Sequence, residues 1–320
     1  MSLQLIVVVD TEEEFDWSAP FSREAIATRS IPAQARAHNI YDRFGVVPTY
    51  VVDYPVATDP QAVRFLRGLR EAGKAEIGAH LHPWVTPPHD EPVTTSNSYH
   101  CNLPPALERA KIETLTAAIE QSFGERPTVF KAGRYGYGPH CGRVLAELGY
   151  EVDCSFVPHT DFSADGGPDF RDVPDRPHWL DNGLLEIPLS VGFFGAAAGI
   201  GPRARWLFDH RATARLRVPG LLARGGLVAR SRLTPEGVSA EEQCRLLAAM
   251  AGQGHRLFSL TYHSPSLAPG HTPYVRDEGD LAAFLDAIER VLTFFRDELG
   301  GSFTTPTRVR REFEAERLAA

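Results

Sequence analysis

Several features that mark well-known protein classes are missing from this sequence. It has only four cysteines in 320 residues, and their spacings are wide and irregular, without a C-x-x-C pair. This distribution argues against a zinc finger and against a disulfide framework, so a reducing compartment fits best. No apolar run reaches the length of a transmembrane helix.

Charge and motif content exclude further classes. The formal net charge is −8 and the sequence pI is about 5.8, and nothing in that balance indicates a nucleic-acid-binding protein. Neither a P-loop nor a dinucleotide-binding glycine pattern occurs in a usable context, and there is no G-x-S-x-G motif of a serine hydrolase. The chain starts with a short apolar run without a basic segment before it. We therefore expect a first strand rather than a signal peptide, and a cytoplasmic protein.

Apolar runs of strand length alternate with segments of helical period along the chain. Seven runs predict strands, at 3–10, 48–53, 75–81, 128–133, 151–156, 184–190 and 255–263. The segments between them predict helices at 33–44, 60–73, 104–124, 141–149, 239–254 and 279–300. This alternation predicts right-handed βαβ units with a parallel sheet. The count is one short of the eight-stranded barrel, and an open doubly wound sheet is the other possibility.

Residues 193–233, which follow the sixth predicted strand, form an unusually basic segment. They contain eight arginines and a single acid, Asp209. We expect one domain over residues 1–320, with 193–233 as a basic insert or lid within it. Arginines of this kind suit a phosphate group on a substrate. The alternatives are a solvated lid or a surface that meets a partner or an anionic lipid.

Polar residues follow several strands at the end where ligands bind in barrels and open α/β sheets. The first strand ends in Asp10 and the chain continues to Glu12, the third ends in His80 and His82, and the seventh ends in His263. Residues two apart on an extended chain point to the same side. Two imidazoles and a carboxylate are a ligand set for zinc or another divalent metal with an open position. The second carboxylate could take a proton from water.

A single histidine at a strand end is more often a core or capping group than a ligand. A second histidine on the same side, with an acid pair at another strand end, is what favours a metal site here. We expect Glu13, Glu14 and Asp16 to be acids of a solvated loop or of the first turn of a helix rather than metal ligands. Trp84 is expected to be a packed ring, although an aromatic ring at this position can also form the floor of a sugar site.

Five segments, in order along most of the chain, resemble the motifs of the polysaccharide deacetylase family, which has the NodB-homology domain and forms carbohydrate esterase family four. "VVVDTEEEF" is similar to the first motif, with its base aspartate and metal-binding acid, and "EIGAHLHPW" to the histidine-rich second motif. "VFKAGRYGYG" resembles the third motif, "EVDCSFVP" the segment with the fourth-motif aspartate, and "LTYHSP" the last motif with a catalytic histidine. The resemblance implies a distorted (β/α)7 barrel, which agrees with the count of seven strands.

The resemblance also implies roles for the residues that match these motifs. Asp10 would be the general base, and Glu12 and His80 would bind the metal, with zinc expected. A basic residue of the third motif would keep Asp10 ionised, and we expect Arg134 in this role, with Lys131 as the alternative. His82 takes no role directly from the family pattern.

The same resemblance implies an acid at the end of the last strand. His263 would protonate the leaving amine. Asp153, or alternatively Asp161, would orient His263 and favour its charged form.

The sequence departs from the family pattern at three places. The family spaces its two histidines four apart, whereas here Trp84 stands at that position and the second histidine is His82. Thr11 separates two acids that are adjacent in the usual first motif, and the proline of the third motif is missing. Because His80 and His82 point to the same side of a strand, we expect His82 to replace the lost ligand. A degenerate metal site is the alternative.

The function that the resemblance implies is metal-dependent removal of an N-acetyl group from an amino sugar. A cytoplasmic location would favour a carrier-linked glycan or an intermediate of a cell-surface polysaccharide, with a phosphate on the carrier. Two alternatives stay open at this point. One is a different amide hydrolase on the same scaffold, acting on a small cyclic amide, and the other is a non-catalytic carbohydrate-binding member. The oligomeric state is not predicted.

Overall fold

A computed structural model describes residues 2–201 and 225–319, together with positions 208, 220 and 222. Its strands are β1 (Gln4–Thr11), β2 (Thr49–Val52), β3 (Glu76–Leu81), β4 (Val129–Ala132), β5 (Val152–Asp153), β6 (His178–Trp179), β7 (Leu185–Glu186), β8 (Val191–Phe194), β9 (Ala229–Arg232), β10 (Leu257–His263) and β11 (Ser302–Phe303). Its α-helices are α1 (Ala35–Phe44), α2 (Tyr54–Thr58), α3 (Pro60–Glu71), α4 (Pro105–Phe123), α5 (Pro139–Glu147), α6 (Ala240–Gly252), α7 (Glu278–Thr293) and α8 (Pro306–Ala319).

All seven predicted strands form, and they lie parallel in one sheet in the order β10-β1-β2-β3-β4-β5-β7. The strands that come first and last among the seven are neighbours, paired from Gln4 with Leu257 to Asp10 with His263. The short strand β6 runs antiparallel to β7 at one edge, and β11 adds to β1. The predicted distorted (β/α)7 barrel is confirmed.

The barrel is closed imperfectly between β7 and β10. There, Leu233 N–H donates to the carbonyl of Ser190 over 2.9 Å, and Thr261 N–H donates to the carbonyl of Leu233 over 3.2 Å. Ser259 N–H reaches Ser190 Oγ at 2.9 Å. Ser190 and Leu233 thus bridge the gap between β7 and β10 through single hydrogen bonds instead of a continuous strand pairing.

The basic segment 193–233 is described at its two ends and at the three single positions 208, 220 and 222. Its ends belong to the antiparallel pair β8–β9, in which Phe193 lies opposite Arg230. Six of the eight arginines, Arg203, Arg205, Arg211, Arg215, Arg217 and Arg224, lie outside the described residues. The extent of the insert therefore stays a prediction.

Alternation along the strands separates the two faces of the sheet. Ile6 and Val8 pack in one apolar cluster with Val129 and Val152, inside the barrel. The intervening residues of β1, among them Val7, pack instead in the larger cluster between the sheet and the helices. Inward positions of β1 therefore run 6, 8 and 10, which carries Asp10 to the end of the barrel interior. None of the described helices is both long and apolar enough to cross a membrane.

Candidate active site

The inward positions of four strands deliver polar side chains to one end of the barrel. Position 10 continues the inward face of β1, positions 80 and 82 that of β3, position 131 that of β4, and position 263 that of β10. A cavity of about 340 Å³ opens at this end. Its lining includes six of the seven residues to which the sequence assigned a catalytic or metal-binding role, namely Asp10, Glu12, His80, His82, Arg134 and His263.

Glu12, His80 and His82 form a buried triad. Glu12 Oε2 lies 3.5 Å from Nε2 of each histidine. The other ring nitrogens are occupied, since His80 Nδ1 donates to the carbonyl of Lys131 over 2.9 Å and His82 Nδ1 donates to Glu13 Oε2 over 2.8 Å. Burial lowers the pKa of His82 to about 4 and that of His80 well below its usual value. Both rings are therefore neutral near pH 7, with Nε2 lone pairs directed at one carboxylate.

The hydrogen-bonding capacity of this triad is not fully used by the protein itself. Glu12 Oε1 is buried and has no hydrogen-bond partner among the described residues. Burial raises the pKa of Glu12 well above its usual range, and the charges of Glu13 and Asp10 raise it further. A divalent cation would satisfy the orphaned oxygen and both imidazole lone pairs together. The donor set thus fits a metal with an open coordination position.

The carboxylate of Asp10 forms an ion pair with a buried lysine. Lys131 Nζ donates to both carboxylate oxygens of Asp10, over 2.6 and 2.8 Å, and also to Thr261 Oγ1 over 2.7 Å. Burial by itself raises the pKa of Asp10, but the charge of Lys131, with smaller effects of His80 and His263, more than offsets this and lowers it. Asp10 is therefore ionised although it is only 2% exposed.

The predicted contact of Arg134 with Asp10 is wrong, and the alternative, Lys131, makes it. Lys131 shares the inward face of β4 with Val129, whereas Arg134 lies in the turn beyond that strand with a φ of 51°. There its guanidinium group stacks 4.1 Å from the ring centre of Tyr99 and donates to Ser98 Oγ over 2.6 Å. Arg134 still lines the cavity, so it is available to a ligand.

His263 is paired with a carboxylate that the sequence reasoning missed. Its Nδ1 donates to Glu236 Oε2 over 2.8 Å, and its backbone N–H donates to Glu236 Oε1 over 3.0 Å. Its Nε2 lies 3.7 Å from Asp10 Oδ2. Burial lowers the pKa of His263, but the hydrogen bond and charge of Glu236, together with the charge of Asp10, more than offset this, so the net shift of the pKa is upward. The ring can therefore carry a proton at the cavity.

The predicted contact of Asp153 with His263 is wrong for a reason of strand geometry. Val152 and Cys154 face the barrel interior, so Asp153 between them faces the helices, where its Oδ1 accepts from Ser155 Oγ over 2.7 Å. The alternative, Asp161, instead pairs with Arg171 at 3.5 Å, and it is not among the described residues that line the cavity together with His263.

Glu236 belongs to the loop between β9 and α6, where no periodic pattern identifies it. The one sequence signal is that it is the only acid between Asp209 and Glu241.

Aromatic rings enclose the cavity. The loop after β1 contributes Phe15, Trp17 and Phe21 to its lining. Trp17 packs edge-on against His263 with ring centres 4.9 Å apart, and Phe21 lies 4.4 Å from Trp84. The other rings of the lining are Trp84, Tyr99, Tyr135, Phe162 and Tyr274. Such walls suit the apolar face of a small ring-shaped ligand.

No protein-family model and no curated protein matches the sequence. Solved structures do match over nearly the whole chain. A Mycobacterium smegmatis protein assigned as a polysaccharide deacetylase is 18% identical with a TM-score of 0.53, over 97% of this chain and 91% of that chain. One from Pseudomonas aeruginosa PAO1, also assigned as a polysaccharide deacetylase, is 15% identical with a TM-score of 0.55, over 98% and 91%. The allantoinase Puue is 16% identical with a TM-score of 0.55, over 98% and 90%. These likenesses show a shared fold.

Proposed function

We propose that this protein is a metal-dependent hydrolase that removes an N-acetyl group from an amino sugar. The observation that carries the proposal is the convergence of three functions in one cavity. These are the ligand set of Glu12, His80 and His82, the ionised Asp10, and a protonatable His263. Amide hydrolysis needs all three, because water must be deprotonated, the carbonyl polarised and the leaving nitrogen protonated.

Glu12, His80 and His82 would hold the metal, for which we propose zinc. When bound, such a metal supplies Lewis acidity towards the amide carbonyl and lowers the pKa of water. Asp10 accepts the proton of the attacking water, and Lys131 keeps Asp10 ionised for this purpose. The three ligands leave the cavity side of the site open to substrate.

His263 then donates a proton to the amine nitrogen as the C–N bond breaks. Glu236 holds the Nδ1–H of this imidazole and stabilises its charged form. Nε2 is thereby presented near Asp10 Oδ2, at 3.7 Å. Base and acid thus sit on the same side of the cavity, within reach of one amide group.

The enclosing rings support an amino sugar as substrate. A cavity of about 340 Å³ with aromatic walls has room for one sugar ring stacked on an indole or phenol face. Arg134 and Arg232 also line it, which suits a negatively charged carrier group. The carrier-linked substrate, the cytoplasmic location and the lid role of residues 193–233 are parts of this proposal. Two neighbours in fold are assigned as polysaccharide deacetylases.

Hydrolysis of a small cyclic amide is the second candidate. The partial enclosure of the cavity by Trp17 and Phe21 favours it, and so does the likeness in fold to an allantoinase. Both reactions use the same metal ligands, base and acid. They differ in the ring that must fit between the aromatic walls.

Metal analysis and a substrate panel test the proposal together. Protein purified without a histidine tag or added metal is expected to contain about one zinc ion per chain, and His82→Ala is expected to lose it. Acetate release from N-acetylated mono- and disaccharides is then compared with ring opening of cyclic ureides. Wild-type protein that binds no metal even after reconstitution would refute the enzyme proposal and favour a carbohydrate-binding protein. Ring opening without acetate release would favour the second candidate.

A further inference from the structure

Glu13 lies directly behind the proposed metal ligands. It was expected to be an acid of a solvated loop or of a first helical turn, but the structure buries it fully, at 0% exposure. The expectation is wrong because the chain stays buried through Glu12 and Glu13 after β1 ends, and becomes partly exposed only from Glu14. A buried carboxylate at this position must be held by hydrogen bonds.

Both carboxylate oxygens and the backbone N–H of Glu13 have specific partners. Oε2 accepts from His82 Nδ1 over 2.8 Å, and Oε1 accepts from the indole N–H of Trp84 over 2.8 Å. The backbone N–H of Glu13 donates to Asp53 Oδ2 over 2.8 Å. Asp53 is itself fixed, because its Oδ1 caps α2 through Val56 N–H at 2.8 Å. The carboxylate is thus tied to a helix start.

Trp84 acts on the same histidine from another direction. Its ring lies nearly parallel to that of His82, with centres 4.2 Å apart and an angle of 24° between planes. Trp84 is only 2% exposed, so it cannot move aside easily. The Glu13 carboxylate therefore binds His82 at Nδ1. It also binds the Trp84 indole, which stacks on the face of the His82 ring.

From this arrangement we infer that Glu13 and Trp84 are positioning residues that turn His82 into a metal ligand at a spacing of two residues from His80. The inference rests on the proposed metal site. A histidine that donates its Nδ1–H to a carboxylate keeps Nε2 unprotonated and becomes a more basic ligand, and removing such a partner typically weakens metal binding about 10–100-fold. His80 has a backbone carbonyl in this position, so it does not depend on a side chain.

The test measures zinc dissociation constants by chelator competition. Glu13→Ala is expected to weaken binding about 10–100-fold. Glu13→Gln keeps one acceptor oxygen, which can serve His82 or Trp84 but not both, so a smaller loss is expected. Trp84→Phe keeps the stacked ring and removes only the N–H, and should weaken binding least. Glu14→Gln is the matched control, because its neighbours are Ser30 and His271 rather than His82.

A second readout separates positioning from loss of structure. In metal-free wild type, ¹⁵N NMR of the histidines is expected to show His82 protonated at Nδ1, and Glu13→Ala should shift this tautomer balance. If Glu13→Ala does not fold, Glu13→Gln and Trp84→Phe carry the test. Zinc affinity and tautomer that are unchanged in those variants would overturn the inference, while wild-type protein without any zinc affinity would instead overturn the proposed function.

Discussion

Among the described residues, two buried groups of side chains that share no residue have the composition of a metal site, and a third, Glu13, Asp53 and His82, overlaps the first of them at His82. In each, three potential ligand atoms lie within 4.8 Å of one another. The first is the triad at the barrel end, and the second lies among α4, α5 and the segment before α4. Their members are Glu12, His80 and His82 in the first, and His100, Glu108 and Cys141 in the second.

The two triads differ in how their polar atoms are used. In the second, His100 Nδ1 donates directly to Glu108 Oε1 over 2.8 Å, so two of the three residues are already joined by a hydrogen bond, and only His100 Nε2 is left without a partner among the described residues. Burial raises the pKa of the Cys141 thiol well above its usual value, so this sulfur is protonated. None of the three lines the cavity at the barrel end. Nearness of ligand atoms therefore does not suffice. The first triad is distinguished by two imidazole Nε2 atoms that face one carboxylate and by access from the cavity.

The largest contrast is expected between His80→Ala and His100→Ala. Loss of His80 should remove the metal and, with it, several kcal/mol of transition-state stabilisation, which lowers kcat/KM about 10³-fold or more. Loss of His100 should leave metal content and kcat/KM unchanged, and should lower the free energy of unfolding by about 1–3 kcal/mol because Glu108 loses its partner. Metal analysis, kinetics and urea unfolding measure these. Metal lost from His100→Ala and kept in His80→Ala would reverse the assignment.

The next contrast compares two cations near the cavity. Lys131→Met leaves the buried Asp10 carboxylate without its partner, and we expect the free energy of unfolding to fall by about 3–5 kcal/mol, with loss of activity. Arg134→Met removes a hydrogen bond to Ser98 and should cost about 0.5–1.5 kcal/mol. Urea unfolding of both variants at one pH checks the difference. Equal costs would show that the Asp10–Lys131 pair is not the anchor of the site.

A smaller effect is expected from Glu236→Gln on the pH profile. Burial lowers the pKa of His263 and Glu236 raises it above its usual value. As a proton donor His263 must be protonated, so activity should fall as the pH rises through this raised pKa. Without the carboxylate the falling limb of log kcat should move to lower pH, with little change below it. A limb that stays in place would mean that a group other than His263 controls it.

The smallest effect is expected from Cys141→Ala in the second triad. The change removes a buried sulfur and should lower the free energy of unfolding by about 1 kcal/mol. Metal content and kcat should not change, because Cys141 touches neither cavity nor metal ligands. A fall in bound metal in this variant would show that the second triad also takes part in metal binding.

Period-two patterns in the sequence were enough to predict the sheet and the two same-side pairs at its end. Each apolar run that predicts a strand is one of the parallel strands of the barrel. The same pattern, applied to Val152 and Cys154, would have placed Asp153 on the outer face, but the role predicted for Asp153 came from the motif resemblance alone. Short elements such as β6, with two residues, and α2, with five, carry too little pattern to predict.

Contacts made by loops were beyond the reach of such patterns. Glu236 meets His263 across 27 positions of chain, and its place depends on how the β9–α6 loop packs. Glu13 was misjudged because a run of three acids is typical of a solvated segment. Its burial is explained only by the partners that three-dimensional structure brings to it, His82 and Trp84.

The pairing of β1 with β10 has a consequence for how the chain acquires its shape. Glu12 N–H donates to Ser264 Oγ, 252 positions later in the chain. The second neighbour of β1 in the sheet is therefore synthesised only after most of the chain. Long-range pairing of this kind slows folding, since a large loop must close before the contact forms. During synthesis, partner strands β2 and β3 can assemble while one side of β1 remains an open edge. Until β10 is made, a nascent chain would expose the unpaired backbone edge of β1 together with its apolar side chains. Unpaired strand edges and exposed apolar surface of this kind promote aggregation.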